Sequence, residues 1–496
     1  MKEKEIQNVD IEHIRNSAIS GFFWTFLERG ANHFLSFFIG LILVRILEPR
    51  DYGLIGMVFI FFGFANSLID SGFSRALIQN QKADDSDYST ALITNVAIAI
   101  ILYLLFFLIA PLIGDFFNEQ ELVLLIRILG LSLVLHSFNI VHLSLLAKTL
   151  NFKKYAYLNL FNYVVSGIAS VICAYMGFGV WSLVIYNILP SITGGIILWA
   201  TSDWRFRLQF SYIKFKELIS FGYSLTLINL INTAIGELYN SFIGKIYKAD
   251  TLGYFSRARM TQQLVSGVFS DVMVKVIFPV VSRIQNETDL IIAALRKVMF
   301  MTGFLNFPIV IFLIFNAKQV FIILFTEKWL ESVWMFQIMA FEGLMTPIIF
   351  VTSNILISKG LTKEYTKYEV YKRIIQIIAI LLTFRDLKIM LYGIVVLSVI
   401  YSFFSMYICS KHLEFKVKDF LRTIFPYFLM IAFQSLLNLI INKFIHFDNL
   451  HIQVSLFLII NILFVTTYGY IFKLEAAQEI KIIFNELRLK YRLSKK

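Results

Sequence analysis

Charge is scarce in this chain: only 16% of its 496 residues are Asp, Glu, Lys or Arg, against roughly a quarter in soluble domains. Hydrophobic residues make up 58%, and the mean hydropathy is +0.72. No core is large enough to hide that much apolar side chain, which excludes a water-soluble globule. Long polar stretches are also missing, so there is no room for a soluble catalytic or nucleotide-binding domain. No GxxxxGK[ST] sequence is present to cradle nucleotide phosphates. The only cysteines, Cys173 and Cys409, fall in different apolar runs without ligand-like neighbours and imply neither a disulfide nor a metal. The seven histidines show no HExxH or similar spacing. No cleavable signal peptide is expected, because residues 1–17 are polar with mixed charge and the first apolar run carries Glu28 and Arg29 with no small-residue cleavage site after it.

What is present is a succession of apolar runs, each long enough to cross a hydrocarbon core of about 30 Å. Fourteen are read, at about 18–44, 53–77, 89–113, 121–146, 156–177, 179–200, 219–244, 253–281, 299–316, 331–358, 368–384, 389–410, 420–442 and 452–472. The fold class is therefore all-α and polytopic. A net charge of +12 could mean nucleic acid or membrane, and its placement between apolar runs decides for membrane topology and against nucleic acid. Lys and Arg gather at the amino terminus, in the gaps after even spans and in the tail, whereas the turns at 115–121 and 176–179 carry none. Both termini should lie in the cytoplasm. The tail places Ile480, Ile483, Phe484 and Leu487 on one helical face ringed by Lys481, Arg488, Lys490 and Arg492, the pattern of a helix lying on the anionic inner leaflet.

An internal repeat is visible. Where span 1 ends the chain reads Arg45-Ile46-Leu47-Glu48-Pro49-Arg50-Asp51-Tyr52-Gly53, and where span 7 ends it reads Lys245-Ile246-Tyr247-Lys248-Ala249-Asp250-Thr251-Leu252-Gly253. A second echo links Lys148-Thr149-Leu150 after span 4 to Lys359-Gly360-Leu361 after span 10. Odd spans match odd spans, so the halves form a parallel repeat of six plus six helices. The expected organisation is a cytoplasmic segment 1–17, lobes 18–210 and 211–415, an appended pair of spans over 416–473, and a basic amphipathic tail 474–496.

Charges inside the spans carry the functional argument: Glu28, Arg29, Asp70, Arg75, Arg127, Glu237, Arg257, Arg259, Asp271, Lys275 and Glu342. Each would cost about 2.5–3.5 kcal/mol facing lipid at the midplane, so they must mostly face one another or water. At 100° per residue, Thr25, Glu28, Arg29, Asn32 and Ser36 fall within one sector of about 100°. Span 7 repeats the pattern with Thr226, Asn229, Thr233, Glu237, Asn240 and Gly244 in about 80°. The first span of each half thus presents a polar stripe to a central space, where two-lobed transporters hold their substrate. Cations Arg29 and Arg259, with Arg257, are candidates for an anionic substrate group. Glu237, Glu342, Glu28 and Asp70 are candidate cavity acids for ion coupling, and Asn32, Asn229 and Asn240 complete the polar lining.

Several of these features have plainer readings. Asp271 and Lys275, four apart on one helix, can neutralise each other. Arg75 can snorkel to the interface and Arg257 can anchor there. His136 and His142 read as packing or hydrogen-bonding groups, not proton carriers. Asp85-Ser86-Asp87 has the DxD form of a glycosyltransferase metal site, but before span 3 an acidic and serine cluster is the expected helix cap. Six of the seven prolines lie in or beside spans, where freed carbonyls are tolerable beside water or neighbouring helices.

The run Leu47-Glu48-Pro49-Arg50-Asp51-Tyr52-Gly53-Leu54, then Asp70-Ser71-Gly72 and Ala76-Leu77-Ile78-Gln79, resembles the start of bacterial polysaccharide flippases. These belong to the multidrug, oligosaccharidyl-lipid and polysaccharide exporter superfamily, and the likeness is to the O-antigen and colanic-acid type. Leu252-Gly253-Tyr254-Phe255-Ser256-Arg257-Ala258 and Phe278-Pro279-Val280-Val281-Ser282-Arg283 resemble the second-half signature of the same family. The resemblance implies a non-enzymatic carrier in the inner membrane, turning an undecaprenyl-pyrophosphate-linked oligosaccharide from the cytoplasmic to the outer leaflet. It implies no cofactor and delivery to polysaccharide polymerase machinery. Coupling to H+ or Na+ is expected because, with no nucleotide site, net export against a gradient requires an ion or a product sink, and an in-span carboxylate is the natural carrier. Arg29 resembles in position a first-span arginine of related lipid II flippases, although here it follows Glu28. A pyrophosphate needs cations in a wet cavity, and guanidinium suits its oxygens. The alternatives are a cation antiporter of the multidrug type, which would favour an acid-dominated cavity, and a membrane polysaccharide polymerase or ligase, which would want a large outer loop.

Overall fold

The computed structural model of the chain describes residue 28 and residues 30–482 except 70–72, 81, 285, 286 and 446, and gives the backbone alone at 221, 224, 225, 228, 268–283 and 362. The amino-terminal segment, Arg29, Asp70 and the tail beyond 482 lie outside the described residues, as do the side chains of Asp271 and Lys275. Among the described residues there is no β-strand. The helices are α1 (Gly30–Ile46), α2 (Pro49–Ile69), α3 (Phe73–Gln79), α4 (Asp85–Phe117), α5 (Glu121–Lys148), α6 (Phe152–Tyr175), α7 (Val180–Thr201), α8 (Tyr212–Gly236), α9 (Leu238–Ile246), α10 (Ala249–Arg283), α11 (Thr288–Phe315), α12 (Ala317–Phe325), α13 (Glu331–Ala340), α14 (Glu342–Ser358), α15 (Thr362–Thr383), α16 (Leu387–His412), α17 (Val417–Phe444) and α18 (Leu450–Ile471).

Among the described residues ten helices, counting α2–α3 and α13–α14 each as one, are long and apolar enough to cross a membrane. The other four predicted spans coincide with α1, α8–α9, α10 and α15. Side chains on the long helices point outward with little cover: Leu108 is 74% exposed, Leu112 69% and Leu382 80%. Such faces are stable only against hydrocarbon, so this is a multi-pass membrane protein.

The chain divides into two compact units, Met1–Gly253 and Tyr254–Lys496, a boundary one span later than the repeat in the sequence suggests. In the first unit α2 packs on α5, α7 and α8, α4 lies along α5, and α6 lies along α7. The repeat is visible in its backbone. Both α1 and α9 stop at the matched isoleucines, Ile46 and Ile246, and after two non-helical residues α2 and α10 begin at Pro49 and Ala249. The two new helices then cross backbone to backbone, because a Cβ on Gly53 would stand 1.8 Å from the Ala249 carbonyl oxygen and one on Gly253 would stand 1.9 Å from the Pro49 carbonyl oxygen. The glycines that mark the repeat are therefore required by reciprocal close approach.

The same motif pins one end of the first unit. Arg50 reaches Glu119 at 2.8 Å and Glu121 at 3.4 Å in the α4–α5 turn, Asp51 accepts from the Val180 backbone N–H at the start of α7, and Lys245 donates to the Phe116 carbonyl. At the opposite end the acidic cluster is the predicted cap, with Asp84 as the capping residue. Its carboxylate accepts from the N–H groups of Ser86 and Asp87, and Asp87 returns a bond to the Asp84 N–H. Lys214 of α8 then grips Asp84 at 2.5 Å and Asp87 at 3.0 Å. Its ammonium holds the Asp84 carboxyl down at about 2. Because the folded value is depressed, the stability this carboxylate contributes is in place above the ordinary carboxylate range and is lost as pH falls through about 2.

In the second unit α11 packs on α17, and α14, α13 and α15 pack on α16. Spans 13 and 14, an appendage in the sequence reading, are tied in by a buried amide network. Gln434 Nε2 donates to the Pro308 carbonyl (3.0 Å) and to Asn461 Oδ1 (2.8 Å), Asn438 and Asn461 exchange bonds of 2.7 and 3.1 Å, and Asn316 reaches Asn438 at 3.4 Å. All four side chains are buried. Asn438→Leu strands two partners in a dry interior, so a loss of about 1–3 kcal/mol is expected. A thermal unfolding midpoint equal to that of the parent would contradict it.

Candidate functional site

The first unit contains a cavity of about 930 Å³, at the upper end of the range of about 300–1,000 Å³ for small-molecule pockets. Its wall combines amides and hydroxyls (Asn66, Ser67, Ser74, Ser132, Asn187, Ser191, Asn229) with rings (Phe59, Phe62, His136, Phe152, Tyr155). Helical periodicity assembles it: Asn66 and Ser74 are on the α2–α3 span, Ser132 and His136 are one turn apart on α5, and Asn187 and Ser191 are one turn apart on α7. Glu28 is its one charged lining residue among those described.

Glu28 is only 8% exposed, and its Oε1 accepts from Asn32 Nδ2 at 2.6 Å and from Asn159 Nδ2 at 3.0 Å. A buried carboxylate without bonds would be costly, and two amides make this one tenable. The sequence singles out Glu28 and Asn32 by their helical stripe but not Asn159, which approaches from α6 and shares no periodicity with span 1. Asn229 joins the same cavity from α8, and Thr233, one turn on, contacts Ser67 of α2 at 3.1 Å.

Glu237 and Asn240 bond to each other at 2.7 Å, and neither lines the cavity. Glu237 stands at the break between α8 and α9. Glu342 has a similar place in the second unit, opening α14 directly after the break at Phe341. Glu237 and Glu342, two of the four acids nominated for ion coupling, thus sit where a span is interrupted, the kind of position where membrane transporters concentrate polar chemistry. Arg259 and Lys372 are the cations whose fields reach Glu342, so the second unit brings together α10, α14 and α15. Lys372 is also paired with Glu369 at 2.8 Å. The sequence reading does not single out Lys372, which lies at the polar start of a weak span. Arg257 is buried, with its guanidinium 5.2 Å from the Phe325 ring and 5.3 Å from the Trp329 ring, an aromatic seat of the cation–π type. His142 packs between Trp199 and Trp204, with ring centroids 4.8 and 5.3 Å away. Among the described residues no group of His, Cys, Asp and Glu has the arrangement of a metal site.

The sequence profile of the polysaccharide biosynthesis protein family matches residues 42–334. The chain belongs to that family. It is similar to the teichuronic acid biosynthesis protein TuaB of Bacillus subtilis, with 25% identity over 60% of this chain and 62% of that protein's length. It is also similar to the lipopolysaccharide biosynthesis protein WzxC of Escherichia coli, with 23% identity over 74% of this chain and 75% of the relative. Among solved structures, the lipid II flippase MurJ in its inward closed conformation superposes with a TM-score of 0.71 at 15% identity, over 92% of this chain and 98% of the flippase. At that identity the likeness concerns the fold, and the all-helical polytopic architecture expected from the sequence is the one observed.

Proposed function

We propose that this protein is a flippase of the bacterial inner membrane that turns an undecaprenyl-pyrophosphate-linked oligosaccharide from the cytoplasmic to the outer leaflet by alternating access, without cofactor or enzymatic step. The observation that carries this reading is the cavity of about 930 Å³ walled by amides, hydroxyls and aromatic rings in the first unit. Sugar hydroxyls need both donors and acceptors, and the apolar faces of pyranose rings lie well on aromatic rings. Arg29 and Arg259, the chosen cations, would take the pyrophosphate by paired hydrogen bonds, with Arg257 as the third candidate. The lobes 18–210 and 211–415 would be the moving halves, and the product would pass to a polysaccharide polymerase. Deleting the gene in a host with intact glycosyltransferases should leave the lipid-linked oligosaccharide assembled but unreachable by a lectin added from outside. Labelling equal to that of the parent would sink the proposal.

Glu28 as the one charge among the described lining residues also favours a second reading, antiport of organic cations. The two differ in what moves, and reconstitution separates them.

Orientation follows from the charge distribution. In a background with Cys173 and Cys409 replaced by Ala, Asn118→Cys should react with an impermeant maleimide added outside and Lys363→Cys should not. The reverse pattern would invert the topology.

Coupling to H+ or Na+ is assigned to Glu237, with Glu342 next and Asp70 and Glu28 as further cavity acids. Neutralising a mid-membrane carboxylate changes which conformer is favoured. Glu237→Gln should leave lipid binding in place and remove the response of transport to an imposed pH or sodium gradient. Wild-type responses to both gradients would move the assignment to Glu342.

A further inference from the structure

Three of the five hydroxyls lining the first-unit cavity, those of Ser67, Ser74 and Ser132, give their protons to the protein itself. Ser132 donates to the Leu129 carbonyl at 2.6 Å and Ser67 to the Gly63 carbonyl at 2.9 Å. Ser144 donates to the Ile140 carbonyl at 2.8 Å, which makes Ser74 the donor in the 2.8 Å Ser74–Ser144 pair. A hydroxyl has one proton, so Ser74 and Ser132 turn lone pairs to the cavity. Glu28 adds to this, since both its amide donors meet Oε1 and no bond to Oε2 is formed among the described residues. Asn187 gives one N–H to the Leu183 carbonyl at 2.7 Å and keeps its own carbonyl oxygen for the cavity. These groups ask the ligand for donors, beside the amide N–H groups that Asn66 and Asn229 can give.

Sugar hydroxyls and ammonium groups supply donors. Carboxylates, sulfates and phosphates are acceptors only, and beside Glu28 they would meet a buried like charge in a medium of reduced dielectric. An acidic sugar is therefore badly matched to the part of the wall that Glu28 forms.

We propose that this cavity seats the sugar portion of the cargo, selects neutral or amino sugars, and uses the Glu28 carboxylate, held by Asn32 and Asn159, to exclude uronic and other acidic sugars. The proposal rests on the flippase reading and deepens it by naming the glycan class. Glu28 is on this view a specificity-determining residue, and the two amides are positioning residues.

The test uses the full-length protein in proteoliposomes and two probes: a fluorescent polyprenyl pyrophosphate bearing a galactose–glucose disaccharide, and the same lipid with its terminal sugar oxidised at C6 to the uronic acid. Like-charge repulsion at a desolvated carboxylate predicts that the neutral lipid moves at least about tenfold faster. Glu28→Gln should narrow that ratio, and Asn187→Asp, a second carboxylate in the same wall, should widen it. The ratio is internal to each preparation and does not depend on how much variant folds. A wild-type ratio near one, or a ratio that Glu28→Gln leaves in place, overturns the proposal while the flippase reading stands. If neither lipid moves and a labelled tetraphenylphosphonium ion does, both fall together.

Discussion

Gly53→Ala and Gly253→Ala should each lower the unfolding midpoint sharply and abolish transport, whereas Gly40→Ala should do neither. At both sensitive positions the added methyl would meet a backbone carbonyl oxygen, at 1.8 Å from Ala249 and 1.9 Å from Pro49. No rotamer change can relieve a clash with backbone, so α2 and the start of α10 must move apart. Overpacking costs about 1–3 kcal/mol where side chains can adjust, and a backbone clash belongs at the top of that range or above it. A methyl added at Gly40 would have nothing within 4 Å of it, and in a helix alanine is preferred to glycine by roughly 1 kcal/mol. Since α2 also packs on α5, α7 and α8, displacing its start disturbs the wall that holds Asn66 and Ser67. Wild-type thermal stability and transport in both variants would show that the crossing is not needed.

Arg29→Ala should leave insertion and protein level unchanged and reduce transport to background. The residue follows Glu28 on the polar stripe of span 1, and a cation there is suited to the anionic link between lipid and glycan. Arg29→Lys should restore part of the activity, because it keeps the charge and loses the planar fork that binds two phosphate oxygens at once. Removing a strong donor to a pyrophosphate predicts a fall of at least about a hundredfold, on the scale of roughly 2.7–4 kcal/mol for losing one charge-stabilising donor. Full transport by the Ala variant at normal level would return Arg29 to a structural role.

Much of this was readable from periodicity and composition. Apolar runs gave the helices, the polar stripe of span 1 gave Glu28 and Asn32, and the offset match of Gly53 to Gly253 pointed to a repeat whose reciprocal contact appears in the backbone. Periodicity reports which face of a helix is polar and is silent about what that face meets. Asn159 could not be connected to Glu28, because 131 residues separate them and nothing local marks the pairing. The amide network of Asn316, Gln434, Asn438 and Asn461 was hidden for the same reason, as amides scattered through three apolar helices look like isolated polar residues until the helices pack. The breaks at Glu237 and Phe341 were also invisible, since no glycine–proline pair marks them and tertiary packing sets where a long helix yields. The charge of the cavity was the least legible feature. Counting in-span bases and acids mixes groups that face the cavity, such as Glu28, with groups held by rings, such as Arg257.

The most direct test of the account is a leaflet-accessibility assay on the purified protein in liposomes. The probe is a nitrobenzoxadiazole-labelled polyprenyl pyrophosphate carrying a neutral disaccharide, placed in both leaflets, and dithionite added outside bleaches only what it can reach. With active protein, bleaching should run on to the label of the inner leaflet, and with Arg29→Ala it should stop at the share of the outer leaflet. Bleaching that stops at the outer leaflet's share with the wild-type protein, in vesicles that do accumulate a labelled organic cation, would contradict the flippase assignment and favour cation antiport.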